Sequence, residues 1–484
     1  MENKKLISLS EVDSLEISEI WGLYDNYVNK GLRKIFSLFS FGKDVFIEAR
    51  GMYLYTNDGK KILDFTGGIG VLNHGHNHED IINARISYQK KHKPEVHKII
   101  FSPYTAVLSH NIAKLLPGDL NKCFFPNSGA EAVEGALKLA FKYHKGKRDY
   151  VLHSNISFHG KLIATGAISG NYPECDDFQQ MPFTHDYEFN NINSVKAALN
   201  YLKKNGTSNV YALIIEPYSS SSFQAADKEF LIELQHICNE ENIILIFDEV
   251  YTGWGKTGSL FYFMRYENLI PDIVTMSKSF GGGKASISCY VTRDEIHDKA
   301  YSSISDAPKH SSTYSGFGEE AVTAIEAIRI AYEDDYSQKA NDINEMLNMK
   351  LGALKNDYPK ILRDIRGVGA LNCIDISIPI ESIEDSIKKT HIEFLKDKYQ
   401  TISKIVAASI MEEMYSSHGI LISTGERRIF SKEKEMYEYM LYILVTPSCI
   451  AEEEHIDQFV KALRETLRKG LIKLVSLFIL KNIK

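Results

Sequence analysis

Four places in the chain carry side chains that could do chemistry together. Lys278 follows the short apolar run IVTM (273–276) and precedes three glycines at 281–283. Asp248 ends the apolar run IILIF (243–247). Ser128, Gly129 and Ala130 follow KCFF (122–125) after Pro126-Asn127 and open a helical pattern, while Phe158 sits with His159 and Gly160 beyond the run YVLH (150–153). A lysine amine can capture a carbonyl covalently. Small residues at a helix start leave backbone N–H groups and a hydroxyl for an anion, which the helix dipole also favours. A carboxylate at a strand end can hold a protonated ring nitrogen, and an aromatic side chain can lie against the ring. Together these are the parts that bind and use pyridoxal 5'-phosphate. Each alone is weak, since a lysine is usually solvated and a strand-end aspartate often caps a turn.

The elements that must position these groups are short apolar strands alternating with helices. KCFF, YVLH, VYALII (210–215), IILIF and IVTM have the length and β-branched content of buried strands, and GAEAVEGALKLAFKYH has apolar residues at helical spacing. Strands alternating with helices predict a mainly parallel sheet covered on both faces, with ligands beyond the carboxyl ends of the strands. Upstream, residues 45–65 carry two strand-like runs around Asn57-Asp58-Gly59, the pattern of a hairpin. From about residue 320 the texture changes to long helices and a smaller α+β region, ending in the apolar tail GLIKLVSLFILKNIK. That tail reads as a capping or interface segment, being too short to span a bilayer. The expected division is an N-terminal segment, 1–70, joining a small domain at 331–484, with a large domain at 71–330 between them.

Composition narrows the classes. The 484 residues are 44% hydrophobic and 25% charged, as in an ordinary globular protein. A net charge of −7 argues against a nucleic-acid binder. The six cysteines lie far apart without metal spacing, and the N-terminus lacks an apolar leader core, so a cytoplasmic protein with reduced thiols is expected. His74, His76 and His78 alternate, but the reading is that no metal binds. GWGKTG (253–258) lacks the first glycine of a nucleotide loop, because Val250 stands there. No GxSxG elbow is present.

With the motifs NSGAEAVEGALKLA, Phe158-His159-Gly160, Glu216-Pro217, DEVYTGWGKTG, PDIVTMSKSFGGG and Arg366-Gly367-Val368-Gly369 in place, the chain resembles the class III pyridoxal-phosphate aminotransferases of fold type I. The resemblance covers nearly the whole chain, from Val45 to residue 468. It implies an α/β fold with a large mainly parallel-sheet domain and a smaller α+β domain. It implies that Lys278 is the Schiff-base lysine and Asp248 the ring-nitrogen partner, with Val250 and Phe158 on the two ring faces. Ser128, Gly129 and Ala130 would hold the phosphate, His159 and Glu216 would complete the pocket, and Thr313 would reach the phosphate from the other half of a homodimer. The implied reaction is ping-pong transfer of an amino group between a small amine and a carbonyl acceptor. Lys284, after the glycine run, is a rival lysine where the family carries none. Racemases, aminomutases, decarboxylases and lyases share the fold, and a non-catalytic interaction protein is a further alternative.

Two departures bear on substrate. Relatives that use glutamate carry an arginine shortly before a Pro-Pro-Leu motif, and Ile443 falls at that position. They often keep a glutamate five residues after the Glu-Pro glutamate, where this chain has Ser221. Losing both halves of a charge switch is coherent, whereas losing one would leave a buried charge unpaired. The expected donor therefore carries its amine on a terminal or carboxylate-free carbon. Lys161, Arg427 and Arg428 are the candidate cations for any distant anion.

Overall fold

A computed structural model describes residues 6–170, 177–380, 382–383, 398–431 and 436–483; the side chains of 398–399, 427–431, 436–439 and 483 lie outside the description. Near the N-terminus, β1 (Phe46–Arg50), β2 (Tyr53–Thr56) and β3 (Lys61–Asp64) pair antiparallel. The turn at Asn57-Asp58-Gly59 joins β2 to β3. The first apolar run, however, is two strands rather than one. It folds back at Gly51, whose φ of 57° is open to glycine without a Cβ clash. The same glycine exchanges backbone hydrogen bonds with His76, at 3.0 and 2.8 Å, tying this small sheet to the segment that follows.

The next seven strands form one sheet. They are β4 (Leu120–Phe124), β5 (Tyr150–Ser154), β6 (Thr184–Tyr187), β7 (Val210–Ile215), β8 (Ile244–Asp248), β9 (Ile273–Met276) and β10 (Cys289–Arg293). Their order is β4-β10-β9-β8-β7-β5-β6, and β10 runs antiparallel to both of its neighbours while the remaining pairings are parallel. Strands β7, β8 and β9 are buried at every position, as parallel strands covered on both faces must be. The two-residue period sorts β8 between two cores. Leu245 and Phe247 join the cluster under helix Lys228–Glu240, and Ile244 and Ile246 join the one under helix Gly129–Tyr143. All five apolar runs anticipated from the sequence are strands. The additional β6 and β10 carry polar residues (THDY and CYVTR) that weaken the apolar signal.

Beyond the large sheet, β11 (Leu362–Val368), β12 (Leu371–Ile376), β13 (Ser423–Ser431) and β14 (Met436–Val445) make an antiparallel sheet in the order β11-β12-β14-β13. Its core joins Ile374, Leu441 and Ile443 to side chains of helices Tyr336–Asp357, Lys398–His418 and Glu453–Arg468. The two-residue strand Ile420–Leu421 pairs in parallel with Leu63 and Asp64 of β3, so the N-terminal sheet is completed from the C-terminal third. The apolar tail is helix Leu471–Ile483. It buries Leu471, Leu474, Val475 and Ile479 and packs on helix Lys398–His418. Lys481 anchors it by pairing with Glu412 and by donating to Ser40 Oγ at 2.8 Å. Among the described residues no helix is long and apolar enough to cross a membrane.

Candidate active site

Lys278 begins the short helix that follows β9, with a left-handed φ of 47°. Its Nζ donates to the Ile69 carbonyl at 3.1 Å and lies 4.8 Å from the centre of the Tyr251 ring. Burial lowers its ammonium from the usual 10.5 to about 8; the carboxylates of Glu216 and Asp248 oppose that shift and the ammonium of Lys256 adds to it. The carbonyl partner belongs to an unusual stretch. Gly67, Gly68, Ile69 and Gly70 all have positive φ, and Ile69, at 57°, is a β-branched residue in a conformation such residues rarely adopt. The stretch is held from Asp64, which accepts from Thr66 N (2.8 Å), Thr66 Oγ1 (2.6 Å) and His76 Nε2 (2.9 Å). Burial pushes the Asp64 carboxyl up, yet these bonds keep it below the ordinary range.

Asp248 closes β8 and is buried. Its Oδ1 accepts from Thr275 Oγ1 at 2.9 Å and Val250 N at 3.0 Å, and its Oδ2 accepts from His159 Nδ1 at 2.7 Å. The other nitrogen of that ring, His159 Nε2, is buried without a partner among the described residues. Glu216, beyond β7, accepts from Phe158 N (2.8 Å) and Ser220 N (3.1 Å), and burial pushes its carboxyl up to about 7. One side chain therefore joins the Phe158 loop to the serine-rich loop that follows Glu216.

The start of helix Gly129–Tyr143 lies against this group. A Cβ on Gly129 would come within 2.8 Å of Val250 Cγ1 and 3.4 Å of Ser277 Cβ, and one on Gly160 within 2.6 Å of Ala130 Cβ. Small residues are thus required where the helix start, the Asp248 turn and the Phe158 loop meet. Ser128 is the N-cap, and its hydroxyl donates to Glu131 Oε2 at 3.0 Å. The first-turn N–H groups of Gly129 and Ala130 have no carbonyl to meet within the helix. Free N–H groups at a helix start suit an anion such as a phosphate.

Lys278, Tyr251 and Phe158 line a cavity of about 1890 Å³ that extends to β13 and β14. Other anticipated residues are placed differently. Thr313 is exposed, and its neighbour Tyr314 accepts through its carbonyl from Asn127 Nδ2 at 3.5 Å, close to the helix start of the same chain. Lys161 is exposed and outside the cavity lining. Arg427 and Arg428 lie on β13, but their side chains fall outside the described residues. Lys284 Nζ bonds Asn77 Oδ1. Of the alternating histidines, His74 Nε2 bonds the Ala327 carbonyl at 2.8 Å and His76 holds Asp64.

The position read as the missing arginine also differs. Ile443 is buried in the core of the smaller sheet. The next side chain back, Tyr442, faces the cavity instead, and its Oη donates to the Ser221 carbonyl at 2.8 Å. Arg366 reaches the adjacent Ser222 carbonyl through Nη2 at 3.0 Å and Nε at 3.3 Å. Sequence reasoning also passed over Ile69 and Tyr251. The only signals were the glycines flanking Ile69 and the tyrosine following Asp248-Glu249-Val250.

A family model described as "Aminotransferase class-III" matches residues 43–392. The chain is 30% identical over 370 residues to an acetylornithine aminotransferase of Agrobacterium fabrum (strain C58), covering 74% of this chain and 87% of that protein. Among solved structures, a transaminase from the marine bacterium Virgibacillus superposes with a TM-score of 0.75 at 24% identity, over 89% of this chain and 93% of that one. An (S)-enantioselective omega-transaminase from Thermomicrobium roseum gives 0.76 at 20% identity, over 96% and 99%. At these identities the structural likeness speaks for the fold.

Proposed function

The chain belongs to the class-III aminotransferases, and from that membership we propose that it moves an amino group from a donor whose reacting carbon bears no carboxylate to a carbonyl acceptor, using the residues around Lys278. The family works with pyridoxal phosphate. In this reading Lys278 is its attachment point, Asp248 its ring-nitrogen partner, and Ser128, Gly129 and Ala130 its phosphate cradle. Val250 and Phe158 flank the ring, while His159 and Glu216 fix Asp248 and Phe158. When bound, the cofactor supplies an aldehyde that captures amines and a cationic ring that withdraws electrons.

The protein's own part is proton handling and exclusion. Lys278, its ammonium brought down to about 8, is neutral often enough at pH 7 that it would take a proton from the donor's amine-bearing carbon and, once protonated, return it on the cofactor side of the amine nitrogen. The Ile69 carbonyl orients the amine, and Asp248, held by His159, Thr275 and Val250, is fixed as an acceptor. The observation that carries the reading is the convergence of this lysine, the buried carboxylate and the helix start on one cavity. The donor preference is supported by what occupies the expected clamp: Tyr442 and a serine loop, while the nearby Arg366 is committed to the Ser222 carbonyl and to Asp375 and does not line the cavity.

We further propose a cytoplasmic homodimer divided at about residues 70 and 330. The five described cysteines are free thiols. Exposed Ile99, Phe101, Ile304 and Tyr314 are large apolar side chains suited to a subunit interface. The test uses holoenzyme and an amine alone. The bound cofactor should pass to its aminated form with release of one carbonyl product per site, and a later carbonyl acceptor should reverse the change. A holoenzyme that binds amines without that exchange contradicts the reading.

A further inference from the structure

The lysine of GWGKTG is the one buried lysine or arginine among the described residues, at 0% exposure. Lys256 Nζ donates to the Pro447 carbonyl at 3.2 Å, and no carboxylate among the described residues pairs with it. A buried amine left with one carbonyl and no counter-charge is costly. Its surroundings show what it holds. A Cβ on Gly67 would stand 3.3 Å from Lys256 Nζ, and one on Gly70 would stand 3.4 Å from Lys278 Cδ. Two lysines therefore flank the same left-handed turn, Gly67–Gly70, whose Ile69 carbonyl meets Lys278 Nζ at 3.1 Å. The entrance of the turn is tied to the residue before Pro447, since Thr446 Oγ1 donates to the Thr66 carbonyl at 3.0 Å. Lys256 thus sits where the loop after β8, the segment after β3 and the end of β14 meet.

We propose that Lys256 is a positioning residue for Lys278: its amine braces the Gly67–Gly70 turn from behind, against Pro447, and so fixes the carbonyl that aims the Lys278 amine. This rests on the transamination reading only in taking Lys278 as the reactive amine. The brace also carries charge. Burial is the main cause that lowers the Lys278 ammonium, the carboxylates of Glu216 and Asp248 oppose it, and Lys256 adds to it. Burial lowers the Lys256 ammonium as well, with Cys449 and Asp64 opposing. Two ammonium groups on the order of 10 Å apart across one turn repel by roughly one pH unit under ordinary protein screening.

The test follows covalent uptake of pyridoxal 5'-phosphate by cofactor-free protein, read by absorbance from about pH 6 to about pH 10, with thermal unfolding of each variant alongside. Lys256→Met removes both the N–H donor and the charge. Lys256→Gln keeps a donor for the carbonyl, removes only the charge, and is the milder change for folding. In both, the midpoint of uptake rate against pH should move up by roughly half to one unit, slowing uptake at pH 7 by roughly three- to ten-fold. Above about pH 9.5, Lys256→Gln should come within about two-fold of native, whereas Lys256→Met should stay slower because Ile69 is no longer held. A role confined to packing would lower stability and leave the midpoint where it is. A native midpoint in either folded variant, or a native plateau in Lys256→Met, overturns the proposal. Failure of both variants to fold also overturns it, since Lys256 would then support the fold alone. Covalent uptake that persists in Lys278→Ala is a separate outcome, and it removes the transamination reading itself.

Discussion

Lys278 shows how much of a site one residue's surroundings decide. In the unfolded chain this lysine holds its proton up to about 10.5, and in the fold only up to about 8. Folding therefore releases a proton between those values, and the cofactor-free protein should gain stability from this group as pH rises through that window. The same shift leaves roughly a tenth of the side chain neutral at pH 7. The rate at which cofactor-free protein takes up pyridoxal phosphate, followed by absorbance, should accordingly rise with pH and level off above about 8. Lys278→Ala should abolish covalent uptake, whereas Lys284→Ala should leave it intact. A rate still climbing steeply at pH 10 would contradict the lowered value. Lys278 and Asp248 were legible in the sequence because their chemistry demands those side chains at strand ends. Ile69 was not, because it contributes a backbone carbonyl, which every residue type carries.

At the scale of the element, a strand's period of two turns a one-residue difference into opposite faces. The sequence pattern places all five apolar runs of the large sheet where the fold has strands. What it does not resolve is which face of β14 meets the cavity. Ile443 packs with Ile374 and Leu441 in the core, and Tyr442 takes the cavity side. Ile443→Arg should therefore not create a carboxylate clamp. It should bury a guanidinium among aliphatic side chains, costing on the order of 3 kcal/mol of stability, and leave glutamate as poor a donor as before. Thermal unfolding and the half-reaction with glutamate check both parts, and a stable variant that gains glutamate activity would show that the position faces the site after all. β6 and β10 escaped prediction for a related reason: their hydrogen-bonded place in the sheet, rather than an apolar run, makes them strands.

At the scale of the whole molecule, Ser128, Thr313 and Tyr314 are all exposed, and in the homodimer proposed above a second copy would close the phosphate site there. If Thr313 acts across the interface, mixing two defective proteins should rebuild a site. A dimer of one Lys278→Ala chain and one Thr313→Ala chain holds an intact lysine facing an intact threonine. Cofactor retention at limiting concentration should then recover to about half the native level, with each parent alone remaining poor. Absence of recovery in a demonstrated mixed dimer would place Thr313 in the pocket of its own chain, where Asn127 already reaches its neighbour. The sequence could not decide this, since a threonine in a turn carries no mark of the subunit it serves.

The serine-rich loop after Glu216 is tied to the smaller sheet through the carbonyls of Ser221 and Ser222, and to Glu216 through the N–H of Ser220. Each of these ties uses the main chain, so the loop keeps its shape whatever side chains it displays. Ser220 and Ser221 could be exchanged in many lineages, or randomised in a library, without releasing the strap that carries them. The fold thus separates the part of the wall that must be inherited from the part that is free to diverge, and new donor preferences could arise there one codon at a time.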